Sequence, residues 1–477
     1  MVKWDTLAYQ PYFSMTATNV AYGFWSHDIV GPSAANVEDL ELYTRWLQWG
    51  AYSGVLRSHD RGMSAGDCAA TFPPTLTSST CGVVRPWNVP LNFFEANQKA
   101  LQRRAQLLPY VYTLARETFD KGLGPLRPMY YEFPELTAAY GATQFGDQPQ
   151  YFFGGDMIVS PIVAPASENS SYLASKEWWI PPGTWVDHVL GSVIEGSKDG
   201  STYLSSLYAL DEIPVIMKAG AIVPTSLEGT NGVIGAASRQ YSKLAFDVYP
   251  HANEGATTVY MDDGETTAYL NSDGYAFLDL AYARSGDGNS IEFNATYDCC
   301  IYPGQPEDIA ITLRLVSMPP LAKVSAGGQN LDFRFERYAS NSPGTWTYNG
   351  AEATLILQTT LSQLTKSMTI TFSVPPASVK LDGIQGEILR ANKAKQALDV
   401  IRKTPGSHQS GFGQLDILST LGDVLSYTAN DPDQWTEEVS KREAKLSAAI
   451  DEVQKINLPL PKGQRRLDFV RALLKLP

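Results

Sequence analysis

Basic tracts are missing from this 477-residue chain: 37 Lys and Arg stand against 50 Asp and Glu, a net charge of −13. Without clustered cations to neutralise phosphates, nucleic acid is excluded as a partner. Apolar runs long enough to span a bilayer are missing too, and Met1-Val-Lys-Trp-Asp turns polar at once, so neither a membrane span nor a signal peptide is expected. Cysteine is scarce. Four Cys make neither a disulfide scaffold nor a zinc cluster. Cys68 and Cys81 bracket a Thr/Ser/Pro-rich loop and could close a small disulfide in an oxidising compartment, or stay as isolated thiols; adjacent Cys299 and Cys300 are not expected to pair together.

What is present describes a soluble globular protein, 44% apolar and 18% charged, long enough for about three domains. Thirty Pro and 38 Gly imply many turns, and 25 Tyr with 10 Trp imply either aromatic surfaces that stack on sugar rings or an aromatic-rich β core. Asn169-Ser-Ser and Asn294-Ala-Thr are glycosylation sequons, which fit a secretory, lysosomal or extracellular location.

Residues 1–127 alternate strand-like and helix-like patterns. Tyr22 to Asp28 reads as a short aromatic strand, and Asn36 as the cap of a helix whose Leu40, Tyr43, Leu47 and Ala51 form one buried face. A second strand, Tyr52 to Arg57, ends at Ser58-His59-Asp60, and a helical run follows from about Phe94 to Asp120, bent at Pro109 and stopped at Gly122. Polar residues at the carboxyl ends of strands that alternate with helices follow the βα grammar of a parallel sheet or barrel. Residues 128–225 and 226–375 read as short strands punctuated by Pro and Gly. Asp262-Asp263-Gly264-Glu265 lacks EF-hand spacing and reads as a turn. Residues 376–477 turn helical: Ile384, Ile388, Ala394, Leu398 and Ile401 mark one apolar stripe, and Val439, Leu446, Ile450 and Val453 another. Both stripes are expected to pack onto the β region; the basic, apolar segment from Lys462 to Leu476 also admits a membrane or partner helix.

Three blocks carry a family resemblance: Tyr22-Gly-Phe-Trp-Ser-His-Asp-Ile-Val-Gly, Glu41-Leu-Tyr-Thr-Arg-Trp-Leu-Gln-Trp-Gly and Val55-Leu-Arg-Ser-His-Asp. They resemble the glycoside hydrolases of family 31, whose "Ser-His-Asp-Ile-Gly-Gly" block leads through "Glu-Leu-Tyr-x-Arg-Trp-x-Gln-x-Gly" to "Arg-x-His". Trp179-Ile-Pro-Pro-Gly-Thr-Trp and the Pro214 to Pro224 segment are similar to the family's next β domain. The resemblance implies a multidomain α/β plus β fold: the C-terminal part of a (β/α)8 TIM barrel in residues 1–127, a proximal β-sandwich in 128–225, a distal β-sandwich in 226–375 and a helical tail in 376–477.

At the candidate strand ends, Asp28 can accept hydrogen bonds from sugar hydroxyls, His59 can give or take one, and Arg57 adds a charge-assisted bond. Trp25 and Trp87 offer apolar faces to the sugar's C–H surface. By resemblance, Asp28, Arg57 and His59 match the positions that hold the terminal sugar. An isolated His or Asp is more often structural, and His27 is read that way; the Trp-rich stretch from Arg45 to Trp49 is read as core. Ser26-His27-Asp28 is contiguous and forms no triad.

A retaining glycosidase needs two carboxyl groups. Spacing alone permits Asp28 and Asp60; the resemblance opposes them, since it puts the nucleophile on an earlier barrel strand and the acid/base just ahead of the Trp that matches Trp4. The resemblance therefore implies an α-glucosidase-like enzyme that needs no metal or cofactor and releases terminal α-linked glucose with retention. This chain, lacking both carboxylates, is expected to be inactive alone. The alternatives are a non-catalytic carbohydrate-binding or regulatory protein, and a subunit whose barrel a partner chain completes. The expected partner is an oligosaccharide or glycan with a terminal α-linked sugar.

Overall fold

The computed structural model describes residues 3–30, 39–58, 86–144, 146, 149–166, 171–226, 242–270, 274–298, 302–335, 343–372, 381–402, 413–456 and 461–474. Two compact units emerge. One comprises Met1–Leu107, Leu114–Gly183 and Glu195–Ile216, the other Leu108–Thr113, Thr184–Ile194 and Met217–Pro477. His59, Asp60, Asn36, Asn169 and all four cysteines lie outside the described residues.

In the first unit, helix α1 (Trp4–Ala17) carries Pro11 inside it and leads to an extended stretch. The two strands expected around Tyr22–Asp28 and Tyr52–Arg57 exist as extended segments joined by parallel bridges, Ser26 to Val55 and Ile29 to Ser58. Between them lies α2 (Leu40–Ala51). Its cap is Asp39, not Asn36. One Asp39 oxygen accepts from the Leu42 amide at 3.0 Å, and the other accepts from the Trp4 indole at 2.8 Å, which decides between two cap-competent residues. The expected single buried face is also too narrow, because every residue from Glu41 to Ala51 is buried.

The long helical run divides into α3 (Leu91–Gln106) and α4 (Leu108–Lys121). Leu107, at ψ 0°, breaks the helical path, and Pro109 sits in the first turn of α4, where its missing N–H costs nothing. Gly122, at φ 73°, ends α4 in the left-handed region. Next come β1 (Leu126–Pro128), α5 (Thr137–Thr143), β2 (Tyr151–Phe153) and β3 (Met157–Val159), with β1, β2 and β3 paired antiparallel. β4 (Ala174–Trp179) precedes β5 (Gly183–Asp187) and β6 (Val193–Gly196); β7 (Tyr203–Tyr208) then pairs antiparallel with β4.

The second unit is built on two six-stranded sheets, entered after β8 (Val215–Lys218). One contains β9 (Ile222–Thr225) and β10 (Lys243–Val248). The other begins with β11 (Glu254–Asp262), β12 (Tyr275–Arg284) and β13 (Ser290–Asp298). The chain then makes β14 (Ala310–Leu315), β15 (Leu321–Ala326), β16 (Gln329–Asn330), β17 (Asp332–Phe333), β18 (Thr345–Asn349) and β19 (Thr354–Thr360). A short α6 (Leu361–Leu364) precedes β20 (Met368–Phe372). The sheet orders are β17-β18-β19-β14-β10-β9 and β11-β12-β13-β20-β15-β16. Burial alternates along β12, β14 and β20, as it must when each sheet has one covered face. Asp263 closes a turn after β11 by accepting from the amides of Glu265 and Thr266.

Helices α7 (Ile384–Arg402), α8 (Gly413–Ser419), α9 (Leu421–Thr428), α10 (Pro432–Ser440), α11 (Arg442–Gln454) and α12 (Pro461–Leu474) follow. The stripe from Val439 to Val453 thus belongs to two helices. Asp431 caps α10, Pro432 opens it, and the path turns at Lys441 between them. Ile388, Leu398, Trp435 and Val453 share one hydrophobic cluster with Phe246, Leu313, Phe293 and Ile370 of the sheets. Leu467, Val470 and Leu474 join it, so the apolar side of basic α12 is already covered. No helix among the described residues is long and apolar enough to cross a membrane.

One close approach of tail and sheet is glycine against glycine. A Cβ on Gly350, just after β18, would strike the Gly422 carbonyl oxygen and lie 2.7 Å from Leu425 Cβ, while the Gly350 amide donates to Ser426 Oγ at 2.8 Å. Gly350→Ala is expected to lower the unfolding free energy by about 1–3 kcal/mol, measured by urea denaturation, because backbone rather than a flexible side chain must yield. Gly413→Ala, where nothing among the described residues lies within 4 Å of an added Cβ, serves as the control.

Candidate functional site

The parallel bridges bring two of the expected site residues together. Asp28 Oδ1 lies 3.7 Å from Arg57 Nε and accepts from Ser26 Oγ at 2.6 Å. The register is held by the Ile29 amide, which donates to the Arg57 carbonyl at 2.8 Å. Arg57 is 54% exposed and Asp28 23%, so this ion pair contributes at most about 1 kcal/mol to stability. Trp25 is half-buried, its ring 4.8 Å from Phe13 and 6.3 Å from Tyr22, and its buried indole N–H finds no partner among the described residues. Trp87 is 68% exposed.

His27 points away from solvent. Its Nδ1 accepts from Trp46 Nε1 at 2.9 Å, which assigns the proton to Nε2, 3.0 Å from Ser53 Oγ. The ring lies against Trp49 with centroids 4.0 Å apart. Burial, opposed by the Asp28 charge and assisted by Arg104, pulls the His27 pKa down to about 3. The imidazole is neutral.

Two further groups fix the frame. Arg45 is 1% exposed, and its guanidinium donates to the carbonyls of Ala209 (3.1 Å), Glu212 (2.9 Å) and Tyr172 (3.1 Å) and to Gln48 Oε1 (3.2 Å). Its Nε sits 3.6 Å from Glu41, whose carboxylate accepts from the Ala166 amide at 3.0 Å. Burial pushes the Glu41 carboxyl upward against the pull of Arg45. Gln48 Nε2 donates to the Leu210 carbonyl at 2.6 Å. Reading this helix as plain core missed the clamp; its signal is Glu, Arg and Gln at offsets of four and three, one helical face. The turn after α2 is held by Arg104, which donates to the carbonyls of Ser53 and Gly54, and by Tyr151, whose hydroxyl donates to the Tyr52 carbonyl at 2.7 Å.

Comparison with known proteins supports the family resemblance. Residues 1–114 match the glycosyl hydrolases family 31 TIM-barrel domain, and residues 122–223 match the glycosyl hydrolase family 31 C-terminal domain. Over these two stretches the chain is similar to glycoside hydrolase family 31. An isomaltosyltransferase of Sporosarcina globispora is 29% identical over 252 residues, 52% of this chain and 21% of that protein. An α-xylosidase of Saccharolobus solfataricus is 29% identical over 270 residues, 56% of this chain and 32% of its own length. The chain thus spans about a fifth to a third of these family 31 relatives. A dextranase structure from Flavobacterium johnsoniae, complexed with glucose, superposes with a TM-score of 0.59 at 23% identity, covering 77% of this chain and 42% of the dextranase, and so shares the fold.

Val30 departs from the family 31 block, which has Gly at that place. Its φ is 56°, a left-handed conformation free to glycine and strained by roughly 1–3 kcal/mol in a β-branched residue. Full burial of the side chain returns about 1.5–3 kcal/mol, which is how the valine persists.

Arg45→Met is expected to lower stability by about 3–5 kcal/mol, read from tryptophan fluorescence in urea, because Glu41 and the carbonyls stay buried without their donor. Adding Glu41→Gln should recover part of the loss. For His27, the ring resonances in NMR should show no titration between about pH 7.5 and about pH 5. The unfolded residue takes its proton near 6.5 and the folded one near 3, so unfolding free energy falls as pH drops through that window. The slope from this group is at most about 1.4 kcal/mol per pH unit.

Proposed function

We infer that residues 1–127 form the sugar-holding part of a family 31 glycosidase site, α-glucosidase-like in its preference for a terminal α-linked sugar. The observation that carries this reading is the Asp28–Arg57 pair, a carboxylate and a guanidinium brought to 3.7 Å at the ends of two parallel-bridged segments. A carboxylate flanked by a hydroxyl and a cation is arranged to accept hydrogen bonds from adjacent sugar hydroxyls, while the guanidinium donates to a third oxygen. Trp25, half-buried three residues before Asp28, is proposed to supply an apolar face for the sugar ring. His59 belongs to the same proposal through the resemblance.

The chemical step belongs elsewhere. Retention requires a nucleophile beneath the anomeric carbon and an acid/base above the leaving oxygen. Asp28, already engaged by Ser26 and Arg57, is suited to holding substrate. The bond-breaking carboxylates are accordingly proposed to lie on further barrel strands, in the same polypeptide or a partner chain, and this chain alone is proposed to hold sugar without cleaving it. The neighbouring dextranase structures are complexed with glucose and, in a mutant, with isomaltotriose, which supports a gluco-oligosaccharide as the ligand.

Calorimetric titration with isomaltose and maltose tests the reading, together with incubation on an aryl α-glucoside. Saturable binding near about millimolar Kd is expected, weakened tenfold or more by Asp28→Ala, with no release of the aryl alcohol. Enzyme-like turnover would overturn the assignment of roles. Absence of saturable binding would remove the sugar-holding reading.

A further inference from the structure

We propose that His27 is a positioning residue for Asp28, setting the direction of its carboxylate through a hydrogen-bonded tie between α2 and the two bridged segments. This deepens the sugar-holding reading of Asp28 and rests on it.

The imidazole is gripped at both nitrogens. Trp46 donates to Nδ1 at 2.9 Å, and the Nε2 proton faces Ser53 Oγ at 3.0 Å. Ser53 in turn donates to the Gly50 carbonyl at 2.8 Å, with the Val55 carbonyl at 3.1 Å as its other acceptor. Val55 is the residue bridged to Ser26, so the chain of bonds runs from the middle of α2 to the second bridged segment and returns beside Asp28. There is little slack. A Cβ on Gly50 would already lie 3.3 Å from His27 Cε1, and Trp49 closes one ring face at 4.0 Å.

Anchoring the ring fixes the backbone on which Asp28 stands. Asp28 occupies the left-handed region at φ 43°, a strained conformation for a non-glycine residue that persists only where its surroundings over-determine it. A side chain of equal bulk without polar atoms would leave the buried Trp46 N–H unpaired and release the tie to Ser53. The carboxylate would then keep its contacts to Ser26 and the exposed Arg57 without the anchored backbone beneath it.

The test compares His27→Asn, which offers an acceptor at the Nδ1 position, with His27→Leu in the full chain. Isomaltose affinity is measured per folded molecule, with the folded fraction taken from urea curves, since a merely structural role changes only that fraction. His27→Leu is expected to weaken binding about tenfold or more, and His27→Asn to recover most of the loss. A folded Leu variant that binds like the wild type overturns the proposal.

Amide exchange supplies a readout independent of sugar. The Ile29 N–H, bonded to the Arg57 carbonyl, should lose protection in the Leu variant beyond any loss at the α2 amides, and should keep it in the Asn variant. Loss in step with α2 overturns the proposal. A wild-type chain that binds no isomaltose removes the sugar-holding reading and leaves the exchange result to decide the tie. If His27→Leu does not fold, Ser53→Ala removes the Nε2 contact together with the bonds to the Gly50 and Val55 carbonyls and leaves the Trp46 end in place; unchanged Ile29 exchange in that variant counts against the tie.

Discussion

Burial of α2 on every side is the constraint from which the first unit follows. A surface helix can leave its polar residues in water, but Glu41, Thr44, Arg45 and Gln48 are enclosed and must find partners inside. The Arg45 guanidinium answers this by spreading its N–H groups over carbonyls from two distant loops, 209–212 and Tyr172. Thr44 finds Asn97 of α3 at 2.9 Å. With α2 held at a unique depth, the turn that follows it is fixed by Arg104 and Tyr151, and the parallel bridges inherit their register from that turn. Asp28 and Arg57 meet because a helix between them has no freedom to rotate.

Much of this arrangement was legible in the amino-acid order. Alternating strand-like and helix-like runs placed Asp28 and His59 at neighbouring carboxyl ends with Arg57 close by, since a parallel crossover through one helix brings such ends together; Asp28 and Arg57 do meet, and His59 lies outside the described residues. The buried polar stripe was not legible. Glu, Arg and Gln at helical spacing describe an ordinary solvated face until the carbonyls that meet them are known, and those come from far along the chain. Asn36 and Asp39 are both competent caps, and a tertiary contact from Trp4 chose the latter. The break at Lys441 was hidden because Val439 and Leu446, seven residues apart, keep helical phase across it.

The site is built on competing local costs. Asp28 and Val30 both hold positive φ, within three residues of each other, while Ile29 between them is tied to the opposite segment. Such backbone persists only where its surroundings over-determine it. Here the over-determination is visible: a buried neutral imidazole on one side of Asp28 and a fully enclosed Val30 on the other.

The shared core of sheets and tail has a consequence for how the chain can be divided. Phe246, Leu313 and Ile370 bury against one another and, through the same cluster, against Ile388, Trp435 and Val470. A fragment ending after β20 would present a broad apolar surface to water, with Gly350 and its neighbours stripped of the helix they were shaped to receive. The smallest piece of this half able to stand by itself therefore includes both sheets and all six closing helices. In cooperative terms, what the residue pattern divides into strand-rich and helix-rich parts shares one core and is expected to melt together.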